Sequence, residues 1–196
     1  MSVVYQEFVE RVGAIHRNVH GDGAKMVQRI VSTCVEMLRD RGCADVAAHP
    51  NVEEAVMQNQ PIVRGDDPLT LVYLHHEDKI GVKFARSVTE DASTHVVLVS
   101  IEGCTPFTRK ECDAQRVQFF TARELAFNIT RHELVPKHEK MEGPPPGTTL
   151  AQLPKLPETD AVARYHAWPV GTVVRVWRVF AGSEPVPYFR VVSPSS

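Results

Sequence analysis

Cysteine is sparse in this chain of 196 residues, and Cys34, Cys43, Cys104 and Cys112 stand apart, with no C-x-x-C pair and no histidine at finger spacing. That spacing excludes a zinc finger and a disulfide framework, and reduced thiols suit a cytosolic or nuclear compartment. An excess of one charge sign is also missing. The 22 Lys and Arg against 24 Asp and Glu leave a net charge of −2, so any contact with nucleic acid has to be a local patch. No apolar run approaches the roughly 18 residues of a membrane span, and the N-terminus lacks the apolar segment of a signal peptide. A G-x-S-x-G elbow, a phosphate-binding loop and a catalytic cysteine motif are all absent. What remains is a hydrophobic content of 43%, that of a soluble globular protein long enough for one or two domains.

The stretch from Thr121 to His138 is the most informative segment. His132, Glu133 and His138 imitate a zinc hydrolase, but that chemistry needs a second histidine four residues after the first, on the same helical face. The fourth residue on is Pro136, which breaks the helix, and His138 lies about 1.7 helical turns away, on nearly the opposite face. No metal and no cofactor is expected.

Along the chain, Met26 to Arg41 reads as an amphipathic helix with Val27, Ile30, Val31, Cys34, Val35 and Leu38 on one stripe, Arg39 and Arg41 at its C-terminal end, and Gly42 as a left-handed cap. Asn51 to Met57 suits a short helix, and Pro61 with Gly65 to Pro68 breaks the chain. Strands are predicted over Leu69 to Leu74 and Ile80 to Phe84, with Glu77 to Lys79 in the turn between them, and a short helix over Ser87 to Ser93. His95 to Ile101 is a buried strand, Gly103 to Pro106 a loop, Thr108 to Gln115 a helix, Val117 to Phe120 a strand and Ala122 to Ile129 a helix. That order suggests an α/β domain with a mixed sheet flanked by helices. Beyond His138, Gly143 to Gly147 is a proline-rich loop, and Asp160 caps a short helix through Tyr165. Trp168 to Gly171 form a turn, Val173 to Phe180 and Tyr188 to Val192 a strand pair joined across Gly182 to Pro187, and Ser193 to Ser196 a loose tail.

Asn128-Ile129-Thr130-Arg131-His132-Glu133-Leu134-Val135-Pro136-Lys137-His138 resembles the run N-I-T-x-H-E-L-V-P-K-H, ten fixed letters in eleven positions. That run joins the two domains of the fifth shared subunit of the nuclear RNA polymerases I, II and III; the archaeal counterpart consists only of the second domain. Lys79 to Lys83, Val96 to Val99 with Gly103 to Pro106, Leu153-Pro154, Asp160 to Tyr165, Gly171 to Arg175 and Tyr188 to Arg190 resemble further family elements, so the match covers most of the chain. Ala161 stands where the family has proline, Ala167 to Pro169 where it has Gly-Leu-Lys, and a charged amphipathic helix expected between His138 and Leu153 is missing. The chain thus looks like a divergent paralogue, dedicated to a single polymerase.

The resemblance implies a nuclease-like α/β jaw domain over residues 1–130 and a small α+β assembly domain over residues 131–196. It implies a non-enzymatic polymerase subunit in the nucleus, and in the nucleolus should it serve polymerase I alone. The assembly domain would dock on the largest subunit near the small shared subunit six, through His132, Glu133, Leu134, Val135, Pro136 and His138, with Arg164, Tyr165 and Arg190 as further contacts. Arg and Tyr are common anchors in such interfaces, although an intradomain salt bridge explains Arg190 equally well. The jaw would lie beside downstream duplex DNA, with Thr105, Pro106, Arg109 and Lys110 contacting phosphates without reading sequence. A helix cap with solvated basic residues is the plain alternative at that loop. Asp67, Glu77 and Lys79 imitate the D…E-x-K signature of restriction-type nucleases, but a polar turn is a poor place for it. His75 and His76 are expected to be exposed on opposite faces, and Cys34 to lie in the core. A free-standing adaptor for transcription regulators, descended from the same subunit, is the alternative function.

Overall fold

The computed structural model describes residues 2–15, 22–91, 93–114, 116–179 and 184–195. It divides into two units, Met1–Phe127 and Asn128–Ser196, each with a mixed sheet of its own.

In the first unit helices α1 (Val3–Ala14) and α2 (Gly23–Asp40) lead into β1 (Ala44–Ala48), α3 (Val52–Met57), β2 (Val63–Asp66) and β3 (Thr70–Leu74). Then α4 (Val82–Val88), β4 (His95–Ser100), α5 (Pro106–Glu111) and β5 (Val117–Thr121) follow. Helix α2 forms because Met26, Val27, Ile30, Cys34, Met37 and Leu38 recur at helical spacing, all of them buried. Asp22 caps its start, accepting from the Lys25 amide, and Gly42 follows its end at φ 88°. Val31 and Val35 sit half-buried at the stripe's edge.

Strands β1 to β5 lie in sequence order, antiparallel from β1 to β3 and parallel from β3 through β5. The parallel strands are apolar on both faces, as burial on both sides requires: Val96 and Leu98 point to one side, Val97 and Val99 to the other. On one side Tyr73, Ile80, Ala85, Val96, Leu98, Val117 and Phe119 pack together, with Phe84, Val88 and Cys112 from α4 and α5 closing over them. On α2's side, Gly65 of β2 comes so near Leu38 that a Cβ would lie 2.8 Å from its Cδ2.

The first unit departs from several sequence expectations. Ile80 to Phe84 is not a strand: Ile80 makes a single bridge to Cys104, and Gly81 is the N-cap of α4. The alternation of Ile80, Val82 and Phe84 imitates a strand, but Phe84 and Val88 are four apart and pack on one cluster, which selects the helix. Of the helix expected at Ser87 to Ser93, only Ser87 and Val88 are helical, as the end of α4. Ala122 to Ile129 runs as turns. Amide bonds from Glu124 to Thr121 and from Ala126 to Arg123 span three residues, and Asn128 begins a separate 3-10 turn over Ile129–Arg131. Helix α5 covers Pro106–Glu111, starting and stopping earlier than predicted, with Cys112 already extended. Helix α1 and strands β1 and β2 are not foreseen from local sequence patterns.

The second unit carries β6 (Lys137–Met141), a 3-10 turn at Leu150–Gln152, β7 (Lys155–Pro157), α6 (Ala161–Tyr165), β8 (Val173–Arg178) and β9 (Val186–Ser193). Its sheet order is β6-β8-β9-β7, antiparallel except for the β7–β9 pair. Leu156, Ala163, Val174, Val176 and Val192 form its core, with Trp168 packed on them. Asp160 caps α6, accepting from the Val162 and Ala163 amides at 2.9 and 3.2 Å. Between His138 and Leu153 the described residues hold a strand, a loop and one 3-10 turn rather than an α-helix. The tail is less loose than expected: β9 runs through Ser193, and the Ser195 amide donates to Glu158 at 3.1 Å. The predicted connection at Gly182 to Pro187 falls partly outside the described residues.

Candidate functional site

The stretch after Phe127 takes its shape from Asn128. Its Oδ1 accepts from the Thr130 amide and hydroxyl at 3.0 and 2.6 Å, and its Nδ2 donates to the Tyr165 hydroxyl at 2.9 Å. An Asx turn thus starts the segment and ties it to α6. His132 Nδ1 accepts from the Leu134 amide at 3.2 Å, and the Val135 amide donates to the His132 carbonyl at 2.9 Å, closing a tight turn. His138 Nδ1 lies 2.6 Å from the Pro136 carbonyl oxygen. The two histidines are therefore engaged in local turn geometry, on a turn and on a strand.

That turn pushes Leu134 into solvent: its side chain is 81% exposed, with His132, Glu133 and Pro136 exposed around it and Val135 half-buried. Of the further contact candidates, Arg164 is half-buried, and Arg190 donates to the Lys155 carbonyl at 3.0 Å, an intradomain hydrogen bond where a salt bridge had been the alternative. Tyr165 is 2% exposed, so what it presents is the position of Asn128 and not its own ring.

The face of β6 beside this turn is electrostatically ordered. Register places Glu139 opposite Arg175 and Lys137 opposite Trp177. Lys137 Nζ meets Glu139 Oε1 at 2.7 Å, and Glu139 Oε2 accepts from Trp177 Nε1 at 2.9 Å and from Arg175 Nε at 2.8 Å. The Arg175 guanidinium lies over the Trp177 ring, 4.9 Å from its centroid. Hydrogen bonds from Lys137, then Trp177, then Arg175 hold the Glu139 carboxyl down at about 2. Sequence reasoning missed this network. Its signal was there in the charged alternation of Lys137 and Glu139, but only the strand register brings Arg175 and Trp177 to them.

In the first unit Thr105 caps α5, accepting from the Thr108 amide at 3.2 Å, and the Thr108 hydroxyl donates to the Ile80 carbonyl at 3.2 Å. Pro106 sits in the first turn. Arg109 lies over the Phe119 ring at 5.9 Å, and Arg109 and Lys110 are exposed beside Phe107, itself 59% exposed. The loop thus leads into a capped short helix whose last turn carries two exposed cations.

Asp67 precedes β3 and Glu77 follows it, so five strand residues, about 16 Å, separate them. Lys79 pairs with Glu102 at 3.2 Å. One ion cannot bridge carboxylates that far apart, and the described residues hold no group of three metal-ligating side chains. His75 corrects the expectation of exposed histidines. It is 6% exposed, stacked on Phe84 at 4.1 Å and 5.1 Å from the His76 ring. Burial, then the neighbouring His76, lower its pKa, and Glu77 at 3.5 Å opposes them. Cys34 is in the core, as its place on the stripe implied, and burial pushes its thiol up to about 12.

No family model matches the chain. Its relatives include subunits of DNA-directed RNA polymerases. The RPABC1 subunit of polymerases I, II and III from Caenorhabditis elegans is 27% identical over 187 residues, covering 76% of this chain and 87% of that protein. The same subunit of Dictyostelium discoideum is 29% identical over 174 residues, 76% of this chain and 88% of that one. Subunit 5A of polymerase V from Arabidopsis thaliana is 28% identical over 173 residues, covering 72% and 77%. The chain is thus similar, below 30% identity, to subunits of this kind over most of its length.

Proposed function

We propose that the chain is a non-catalytic subunit of a nuclear DNA-directed RNA polymerase. Its second unit, from Asn128 onward, anchors to the largest subunit beside the small shared subunit six. Its first unit, up to Phe127, forms a jaw along incoming duplex. The observation that carries this reading is the exposed turn from His132 to Pro136, presenting Leu134 on a base fixed by Asn128 and Tyr165, in a chain whose relatives described above are named as polymerase subunits. The exposed Arg109 and Lys110 suit phosphates and carry no sequence information. Chemistry is left to the rest of the complex, since Asp67 and Glu77 stand at opposite ends of β3. The sequence divergence fits a chain serving one polymerase, and a nucleolar location if that is polymerase I.

Purification of the tagged chain tests this. Large polymerase subunits should accompany it, and the identity of the largest names the enzyme. Recovery of transcription regulators without polymerase would replace the subunit with an adaptor. Leu134→Ser should reduce polymerase recovery without unfolding the chain.

A further inference from the structure

We propose that the second unit takes an extended segment of a partner protein as an added strand on β6, with a basic side chain of that segment seated in an acidic groove at the strand's start. The inference deepens the subunit reading above, the segment then belonging to a neighbour in the complex.

Two independent features carry it. The first is an open sheet border. β6 ends the order β6-β8-β9-β7, and among the described residues no other strand pairs with its outer side, so its outward N–H and C=O groups are free to bond a further strand. The second is a groove of about 610 Å³ running from that strand across the sheet face. Val135, Pro136, Trp177, Val179 and Pro185 make it apolar, with Val179 73% exposed. Glu133, Glu139 and Glu184 outnumber the one cation of its lining, Lys137, which is held by Glu139, and leave it acidic.

The charges decide which side chain fits. Glu139 is already satisfied by Lys137, Arg175 and Trp177, which also fix the position of the indole. Glu133 and Glu184 have no ion-pair partner among the described residues, and both are exposed. A cation on an otherwise apolar strand satisfies them and covers Val179, whereas a phosphate backbone would be repelled. A second copy of this chain is a poorer match. Antiparallel self-pairing centred on Glu139 sets that carboxylate against its own copy; centred on His138 it sets Lys137 against Glu139, which are already paired within the chain, and leaves Glu133 facing Gly143 with no cation.

The test uses the whole chain and an immobilised array of heptapeptides alternating valine and threonine, with arginine, glutamine or glutamate at the centre. Arginine peptides should bind about tenfold better than glutamate peptides, and the Glu133→Gln, Glu184→Gln double variant should reduce that preference to about twofold or less. Hydrogen exchange should slow at the amides of β6 when the arginine peptide is bound. Equal binding of arginine and glutamate peptides, unchanged preference in the double variant, or binding that leaves β6 unprotected overturns the inference. So does self-association of the chain that the peptides do not compete. Polymerase recovery without peptide preference sinks this proposal alone. Peptide preference without polymerase recovery sinks the subunit reading alone.

Discussion

Tyr165→Phe isolates the bond that fixes the candidate surface. The substitution keeps the buried ring and removes only the hydroxyl that accepts from Asn128 Nδ2 at 2.9 Å. A net intramolecular hydrogen bond is worth about 1 kcal/mol, and a half-buried amide losing its acceptor raises the cost toward about 2 kcal/mol. Asn128→Ala should cost more, because it also removes the Asx turn to Thr130. The double variant should recover about 1 kcal/mol of the summed losses, the coupling expected of two side chains in direct contact. Both tryptophans, Trp168 and Trp177, lie in the second unit, so tryptophan fluorescence during urea unfolding reports that unit alone. With a slope of about 1 kcal/mol per molar urea for a unit of this size, the midpoint should fall by about 1 to 2 M in Tyr165→Phe. Amide exchange at Thr130, His132 and Val135 should accelerate in step. A coupling near zero, with exchange at those amides unchanged, would show that the turn is shaped without α6 and refute the reasoning.

Three other outcomes are expected. Gly23→Ala should destabilise the first unit by about 3 kcal/mol in thermal unfolding, because the added Cβ would lie 1.9 Å from the Val9 carbonyl oxygen; Gly81→Ala, with open space around it, should cost less than about 1 kcal/mol. His75 has its folded pKa below the ordinary 6.5, so its stabilisation is complete above that value and falls as pH drops through it; His75→Leu should flatten the stability of the first unit between neutral pH and pH 5, and a slope that persists unchanged would be contrary. For Glu139, held at about 2, the contribution is present above the unfolded carboxyl value of 4.5 and lost as pH falls through about 2; carbon-detected NMR titration should place its midpoint there, and Lys137→Met should move it upward.

Elements whose signal is local were readable from sequence. The α2 stripe, Asp160 as the cap of α6, the apolar run of β4 and the strand pair β8–β9 each follow from periodicity or capping chemistry over a few residues. Where two local signals conflict, packing decided. Ile80, Val82 and Phe84 alternate like a strand, yet the cluster under Phe84 and Val88 draws them into α4. Ala122, Leu125 and Ala126 are helix formers, yet they are buried in turns that Thr121 and Glu124 lock by reciprocal side-chain bonds. β6 was invisible because Lys137 to Met141 has neither apolar alternation nor β-branched residues; β8 makes it a strand. At the candidate site, the exposed turn at 132–136 was placed by resemblance, whereas Asn128–Tyr165 and the Glu139 network depend on contacts 36 to 38 residues apart, which no local pattern encodes.

The position of β9 inside the second sheet sets an order of events during synthesis. β6 and β8 can pair as soon as both have been made, but among the described residues β7 pairs with β9 alone and waits for it. Until β9 slots between β8 and β7, Leu156 and Val174 lack the strand that lies between theirs, and the core of this unit lacks Val192. On the proposed docking of this unit, assembly with a partner waits for its last strand, whereas the first unit, which ends at Phe127, carries no such delay.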